Sequence, residues 1–154
     1  MPPKTQAIAS TYYVTLRLRH NHRRYLTDHP DIWFAALAKV QKELPTRVNA
    51  FVLLPDHAHL IWTLPKKGGH IDRCRRLCEE FSEELANSTG ASRRLHKANF
   101  RLFKSYYPST PIHTVSQLRR LRDHVHQDPV RHGLVKAPGE WRHSSGSKFN
   151  PLLD

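Results

Sequence analysis

The stretch FVLLPDHAHLIWTLP, residues 51–65, constrains the fold more than any other part of the chain. Val48 to Leu54 is an apolar run of strand length, stopped by Pro55-Asp56, and His57 to Leu64 starts a second run at once. Two strand-like segments this close can only be joined as an antiparallel hairpin. Side chains alternate along a strand, so His57, His59 and Ile61 share one face while Ala58, Leu60 and Trp62 share the other. The second set suits packing against helices, and the first puts two imidazoles side by side.

The flanking segments repeat this switching between periods. Tyr12 to Leu18 alternates like a strand and leads into the basic loop RHNHRR. Asp28 and Pro30 form a helix start, and Trp33, Leu37, Val40 and Leu44 recur at helical spacing up to Pro45. Ile71, Cys74, Leu77, Phe81 and Leu85 mark a second helix, closed by Asn87 to Gly90. NFRLFKSYY, residues 99–107, is expected to return a strand to the sheet. Thr114-Val115-Ser116-Gln117 has the form of a capping box and opens a third helix, striped by Leu118, Leu121 and Val125 and bounded by Pro129. Trp141 is the expected anchor of the short tail. The order β-α-β-β-α-β-α predicts an α+β domain, an antiparallel sheet covered by helices. A disordered tail is expected at 1–10, one domain over 11–149, and a short tail at 150–154; 154 residues suit a single core.

Charge narrows the partner. Lys and Arg number 25 against 13 Asp and Glu, a formal net charge of +12 before any of the 12 His is protonated. Such an excess speeds encounter with a polyanion and favours a nucleic-acid partner over a merely solvated surface. Arg19, Arg23, Arg24, Arg73, Arg75, Arg76, Arg119, Arg120 and Arg122 are the candidates for a nucleic-acid-binding surface. No run approaches a membrane span and the N-terminus lacks an apolar signal core, so a cytoplasmic protein is expected. Cys74 and Cys78, four apart on a helix, suit small apolar residues better than a disulfide or a metal pattern.

His57-Ala58-His59 is the first candidate for chemistry. Among 12 His in 154 residues chance alone supplies about one His-x-His pair, and the chain has three: His20/His22, His57/His59 and His124/His126. The strand-turn-strand frame singles out the middle pair as a platform for a divalent ion. A third, oxygen ligand is available from Asp128 at the end of the third helix, with His124 one turn earlier on the same face.

These segments resemble a known family. FVLLPDHAHLIWTLP resembles the HUH motif of the single-tyrosine transposases, and DHVHQDPVRHGLV resembles the segment of REP-associated tyrosine transposases that carries the nucleophile. YYVTLRLRHNHRRYL and EWRHSS look like the family's first strand and closing segment, so the similarity runs from Thr11 to Phe149. The resemblance implies a ferredoxin-like antiparallel sheet flanked by helices, and metal-dependent cleavage and rejoining of single-stranded DNA at REP-like hairpins. It implies His57, His59 and Asp128 as ligands of Mg²⁺ or Mn²⁺, with Asp128 where relatives place Asn or Gln. It also implies a tyrosine nucleophile, at a position that is His124 here. All five tyrosines, Tyr12, Tyr13, Tyr25, Tyr106 and Tyr107, lie outside that helix.

Three readings stay open at this point. The chain is a hairpin-binding protein whose HUH centre no longer cleaves; or a nuclease with changed chemistry, using His124 or a metal-activated water; or a basic RNA-binding or ribosome-associated domain of another class. Monomer and homodimer are both compatible with the family.

Overall fold

The computed structural model describes residues 10–19, 24–89 and 102–148. Their elements run β1 (Thr11–Arg17), α1 (Tyr25–Asp28), α2 (Pro30–Glu43), β2 (Arg47–Leu53), β3 (His57–Thr63), α3 (His70–Thr89), β4 (Ser109–Ile112) and α4 (Val115–Arg131). The four strands form one sheet in the order β2-β3-β1-β4, with each neighbouring pair antiparallel. This order, with helices between β1 and β2 and between β3 and β4, is the ferredoxin-like α+β arrangement expected from the sequence.

The alternation of β1 and β3 sends two sets of side chains to opposite faces. Tyr12, Val14, Leu16, Ala58, Leu60 and Trp62 join Phe51 and Leu53 in the larger core, which α2 and α3 close with Trp33, Leu37, Val40, Leu77 and Phe81. The other face carries Ala50, Val52, Leu54 and Ile61, which pack with Ile112 and with Val125 of α4. Cys74 and Cys78 are free thiols buried on the α3 side, as their spacing suggested.

The tail after α4 returns to the outer edge of the sheet. Leu53 N–H donates to the His143 carbonyl (2.7 Å) and Ser145 N–H to the Phe51 carbonyl (3.0 Å). Trp141 Nε1–H donates to the Leu53 carbonyl at 2.8 Å, which makes it the anchor anticipated. An edge strand covered this way cannot template pairing with another chain.

Three local expectations need correction. The returning strand is not at 99–107: residues 99–101 lie outside the described ones, only Phe103 bridges Leu18, and the strand proper is Ser109–Ile112. Leu102 and Lys104 still bond the end of β1, and the Pro108 carbonyl accepts from Thr15 N–H, before regular pairing begins at Ser109. Pro129 does not bound the last helix but lies inside it, and the helix runs on to Arg131. The stop is Gly133, at φ 71°, with Gly133 N–H donating to the Val130 carbonyl and Leu134 N–H to the Pro129 carbonyl. That paired return is a Schellman motif, and it needs a left-handed residue at this position. Finally, Ser10, assigned to the N-terminal tail, is buried and its carbonyl accepts from Leu64 N–H at 2.9 Å.

Candidate metal centre and nucleic-acid interface

Register places the chemistry. In β1 against β3, Arg17 lies opposite His57, Thr15 opposite His59, and Tyr13 opposite Ile61. All point to the face that α4 covers, so the helix's last turns stand over the two histidines. His57 is 4% exposed and Asp128 5% exposed, so they meet away from bulk water.

The rings are oriented from behind. His57 Nδ1 lies 2.8 Å from Asp56 Oδ1. A carboxylate can only accept, so the Nδ1 carries the proton and the Nε2 lone pair is left for the cleft. This is the carboxylate–histidine arrangement that supports metal-binding imidazoles. His59 Nδ1 is 2.9 Å from the Thr15 hydroxyl, and its Nε2 is 3.0 Å from Asp128 Oδ2. The His57 and His59 rings stand edge to face, with centroids 5.0 Å apart.

Asp128 is held from the other side by Arg131, whose Nη2 donates to Oδ1 at 2.6 Å and to the His124 carbonyl. Burial pushes the Asp128 carboxyl up, but the His59 ring and the Arg131 guanidinium outweigh it and hold the group well below the usual carboxylate range. Oδ2 is a different matter. The His59 nitrogen comes close but off the line of a hydrogen bond, and this buried oxygen has no donor. An orphaned carboxylate oxygen facing imidazole nitrogens is costly by itself, and a divalent cation accepts both as ligands. Among the described residues, His57, Asp128 and His132 are the group whose ligand atoms all lie within 4.8 Å of one another, and such a donor set fits a metal ion. His59, expected as the second histidine ligand, touches Asp128 Oδ2 at 3.0 Å but falls outside that group.

Burial lowers the His57 pKa, and His59 and Arg17 add to the effect against Asp56. The ring is then neutral, the form that ligates. Tyr13 sits beside His59, with centroids 5.4 Å apart, and its hydroxyl is pushed up to about 12 by burial and by Asp128.

His124 stands apart from this group. It is exposed, one turn before Asp128, with its ring 6.5 Å from Tyr13. Its pKa is lowered by burial and by Arg131. His126, the other half of that pair, has a structural contact: Nε2 lies 2.7 Å from Ser145 Oγ. His20 and His22 lie outside the described residues.

The nine arginines do not form one surface. Arg119, Arg120 and Arg122 are exposed on α4, and Arg19 and Arg24 are exposed after β1, while Arg23 lies outside the described residues. Arg73, Arg75 and Arg76 belong to α3, on the opposite side of the sheet from the histidines. Arg73 donates to Thr46 Oγ1 (2.7 Å) and the Pro45 carbonyl (3.1 Å), Arg75 pairs with Asp72, and Arg76 pairs with Glu43 and Glu80. The guanidiniums of Arg73 and Arg76 tie α3 to its neighbours, while that of Arg75 pairs within α3. Sequence reasoning missed Arg17, Arg131 and His132, all of which border the histidine face. The signal for Arg17 was its alternation with Thr15 on the first strand; for the other two it was Gly133, which lets the helix run past Pro129.

No protein-family model matches the chain. It is 28% identical over 135 residues to the REP-associated tyrosine transposase of Escherichia coli K12, covering 88% of this chain and 75% of that one. A Haemophilus influenzae protein assigned to the same group is 25% identical over 138 residues, 87% of this chain and 78% of its own length. A REP-associated tyrosine transposase solved bound to a REP hairpin superposes with a TM-score of 0.75 at 28% identity, over 90% of this chain and 78% of that one. A transposase-type protein of Deinococcus radiodurans R1 shares the fold, with a TM-score of 0.54 at 12% identity over 75% of this chain and 87% of that one. In sequence and in fold, along most of its length, the chain is similar to the REP-associated tyrosine transposases.

Proposed function

We propose that this chain is a transposase-like protein that binds REP-type single-stranded DNA hairpins and sets one backbone phosphate at a divalent ion held by His57, His59 and Asp128. The observation that carries this reading is the likeness to the hairpin-bound neighbour over 90% of the chain. Two features support it: the orphaned Asp128 oxygen among imidazoles, and the cations nearby, Arg17 opposite His57 in register and Arg131 on Asp128, with Arg19, Arg119, Arg120 and Arg122 exposed to solvent. When bound, the ion, Mg²⁺ or Mn²⁺, polarises a phosphate oxygen. The protein's own residues do the rest: Asp56 and Thr15 orient the two rings, α4 excludes water from the carboxylate, and the arginines hold phosphates in register.

The test is a gel shift with a labelled imperfect hairpin, an unpaired strand of the same composition, and a duplex. The hairpin binds tightest, and its affinity falls with salt at a slope of roughly −0.7 per phosphate neutralised. Equal affinity for hairpin and scrambled strand overturns the proposal.

A second reading, single-strand cleavage, is favoured by one observation. His124 offers a neutral imidazole one helical turn before Asp128, and neutral imidazole is a competent nucleophile towards phosphorus. Attack forms an N–P bond and breaks the P–O3′ bond. The ring's other N–H proton passes to O3′, leaving a 5′-phosphohistidine and a free 3′-OH. A denaturing gel shows a covalent protein–DNA band if this holds; an intact strand in the presence of metal excludes it.

A further inference from the structure

We infer that His132 is an additional metal ligand in this chain and that it makes the centre nitrogen-rich, selecting transition-metal ions over Mg²⁺. The inference rests on the reading that the cleft between β3 and α4 holds a divalent ion. His57, Asp128 and His132 each offer a ligand atom within 4.8 Å of the other two. Donors on one tetrahedral ion at about 2.1 Å sit about 3.4 Å apart, so a modest tightening closes the set. His132 is the member able to supply it, since its side chain is 48% exposed at the helix end.

The local structure aims this ring. Asp128 and His132 are four apart, and His132 caps α4 by donating its N–H to the Asp128 carbonyl at 3.0 Å. The Schellman return at Gly133 stops the helix one residue later, so the ring stays over the sheet. His132 Nε2 lies 3.8 Å from Asp128 Oδ1, too far for a hydrogen bond. Its ring stands edge-on to His57 with centroids 5.3 Å apart. Arg131 already occupies Oδ1, so Oδ2 is the oxygen left for the ion.

The consequence follows from ligand chemistry. Mg²⁺ prefers oxygen donors and keeps its waters, whereas imidazoles suit Zn²⁺, Co²⁺ and their neighbours. The clustered donors, the His57 and His132 imidazoles and the Asp128 carboxylate, bring two nitrogens for one oxygen and leave little of the oxygen shell Mg²⁺ needs. Mn²⁺ remains acceptable, and Zn²⁺ or Co²⁺ binds more tightly.

Calorimetric titration of the metal-free full chain with Zn²⁺, Mn²⁺ and Mg²⁺, paired with the visible spectrum of the Co²⁺ form, tests this. Wild type is expected to bind Zn²⁺ more tightly than Mg²⁺. His132→Ala is expected to weaken Zn²⁺ by about 10–100-fold, to leave Mg²⁺ nearly unchanged, and to alter the Co²⁺ bands. Because the side chain is half exposed at a helix end, the variant folds, and circular dichroism checks it. His57→Ala separates the two levels of the argument. If His57→Ala abolishes metal binding while His132→Ala leaves Zn²⁺ affinity and the Co²⁺ spectrum untouched, His132 is no ligand and the inference is overturned. If neither variant changes metal binding, the underlying site fails along with it.

Discussion

Asp128→Ala separates a metal ligand from an ordinary helix-end carboxylate. Without metal the substitution removes the bond to Arg131, whose side chain is 41% exposed. The Asp128 end is only 7% exposed, so this charge-assisted bond contributes about 1–3 kcal/mol, and removing a buried carboxylate with an orphaned oxygen offsets part of that loss. The metal-free protein therefore loses less than about 3 kcal/mol of stability. With metal the outcome differs. Loss of an anionic ligand at the upper end of about 100-fold in affinity removes about 2.8 kcal/mol of linked stabilisation. For a chain this size that is roughly 6–11 °C in Tm. Thermal melts of both proteins, in chelator and in saturating Mn²⁺, read the two effects separately. A metal-induced shift of the same size in Asp128→Ala as in wild type would refute the reasoning, as would an equal loss of Tm with and without metal.

Other consequences are as direct. His124→Tyr restores the residue type that the family resemblance places there, and in Mn²⁺ it is expected to gain a covalent adduct on a labelled hairpin; no adduct means that more than the nucleophile is missing. Burial pushes the Cys74 thiol up, and burial with the Cys74 neighbour pushes the Cys78 thiol up, so native labelling by iodoacetamide at pH 8 is slow and denaturant exposes both. The same raised values favour the fold fully below the unfolded thiol pKa of about 8.5. That contribution declines as pH rises beyond it, which urea melts between pH 7 and 10 detect. Asp128 has the opposite sign: its depressed pKa stabilises the fold above pH about 4 and is lost on further acidification. An acid limb that is unaltered in Asp128→Ala counts against that assignment.

The sheet and its chemical face were legible because they follow from period two. FVLLPDHAHLIWTLP shows a hairpin and states which residues share a face, and the observed register keeps Ala58, Leu60 and Trp62 opposite to His57 and His59. What stayed illegible depends on tertiary neighbours or on chain reversal. Arg17, Thr15 and Asp56 matter because β1 lies beside β3, which no local pattern states. Arg76 looks like a phosphate contact until Glu43, 33 residues away, is found beside it. His132 was hidden by taking Pro129 as the helix end. A proline in the last turn removes one donor and disturbs one carbonyl, and the Gly133 return closes the helix beyond it. The turn after Asp128, and not only the turn before it, thereby faces the histidines.

Crystals of the chain soaked in Mn²⁺ and measured at the manganese absorption edge give the most direct answer. A single anomalous peak within bonding distance of His57 Nε2, His59 Nε2 and Asp128 Oδ2 is the expected result. A fully soaked crystal with no peak between β3 and α4, its Asp128 carboxylate instead donor-bonded by His59, would contradict the account.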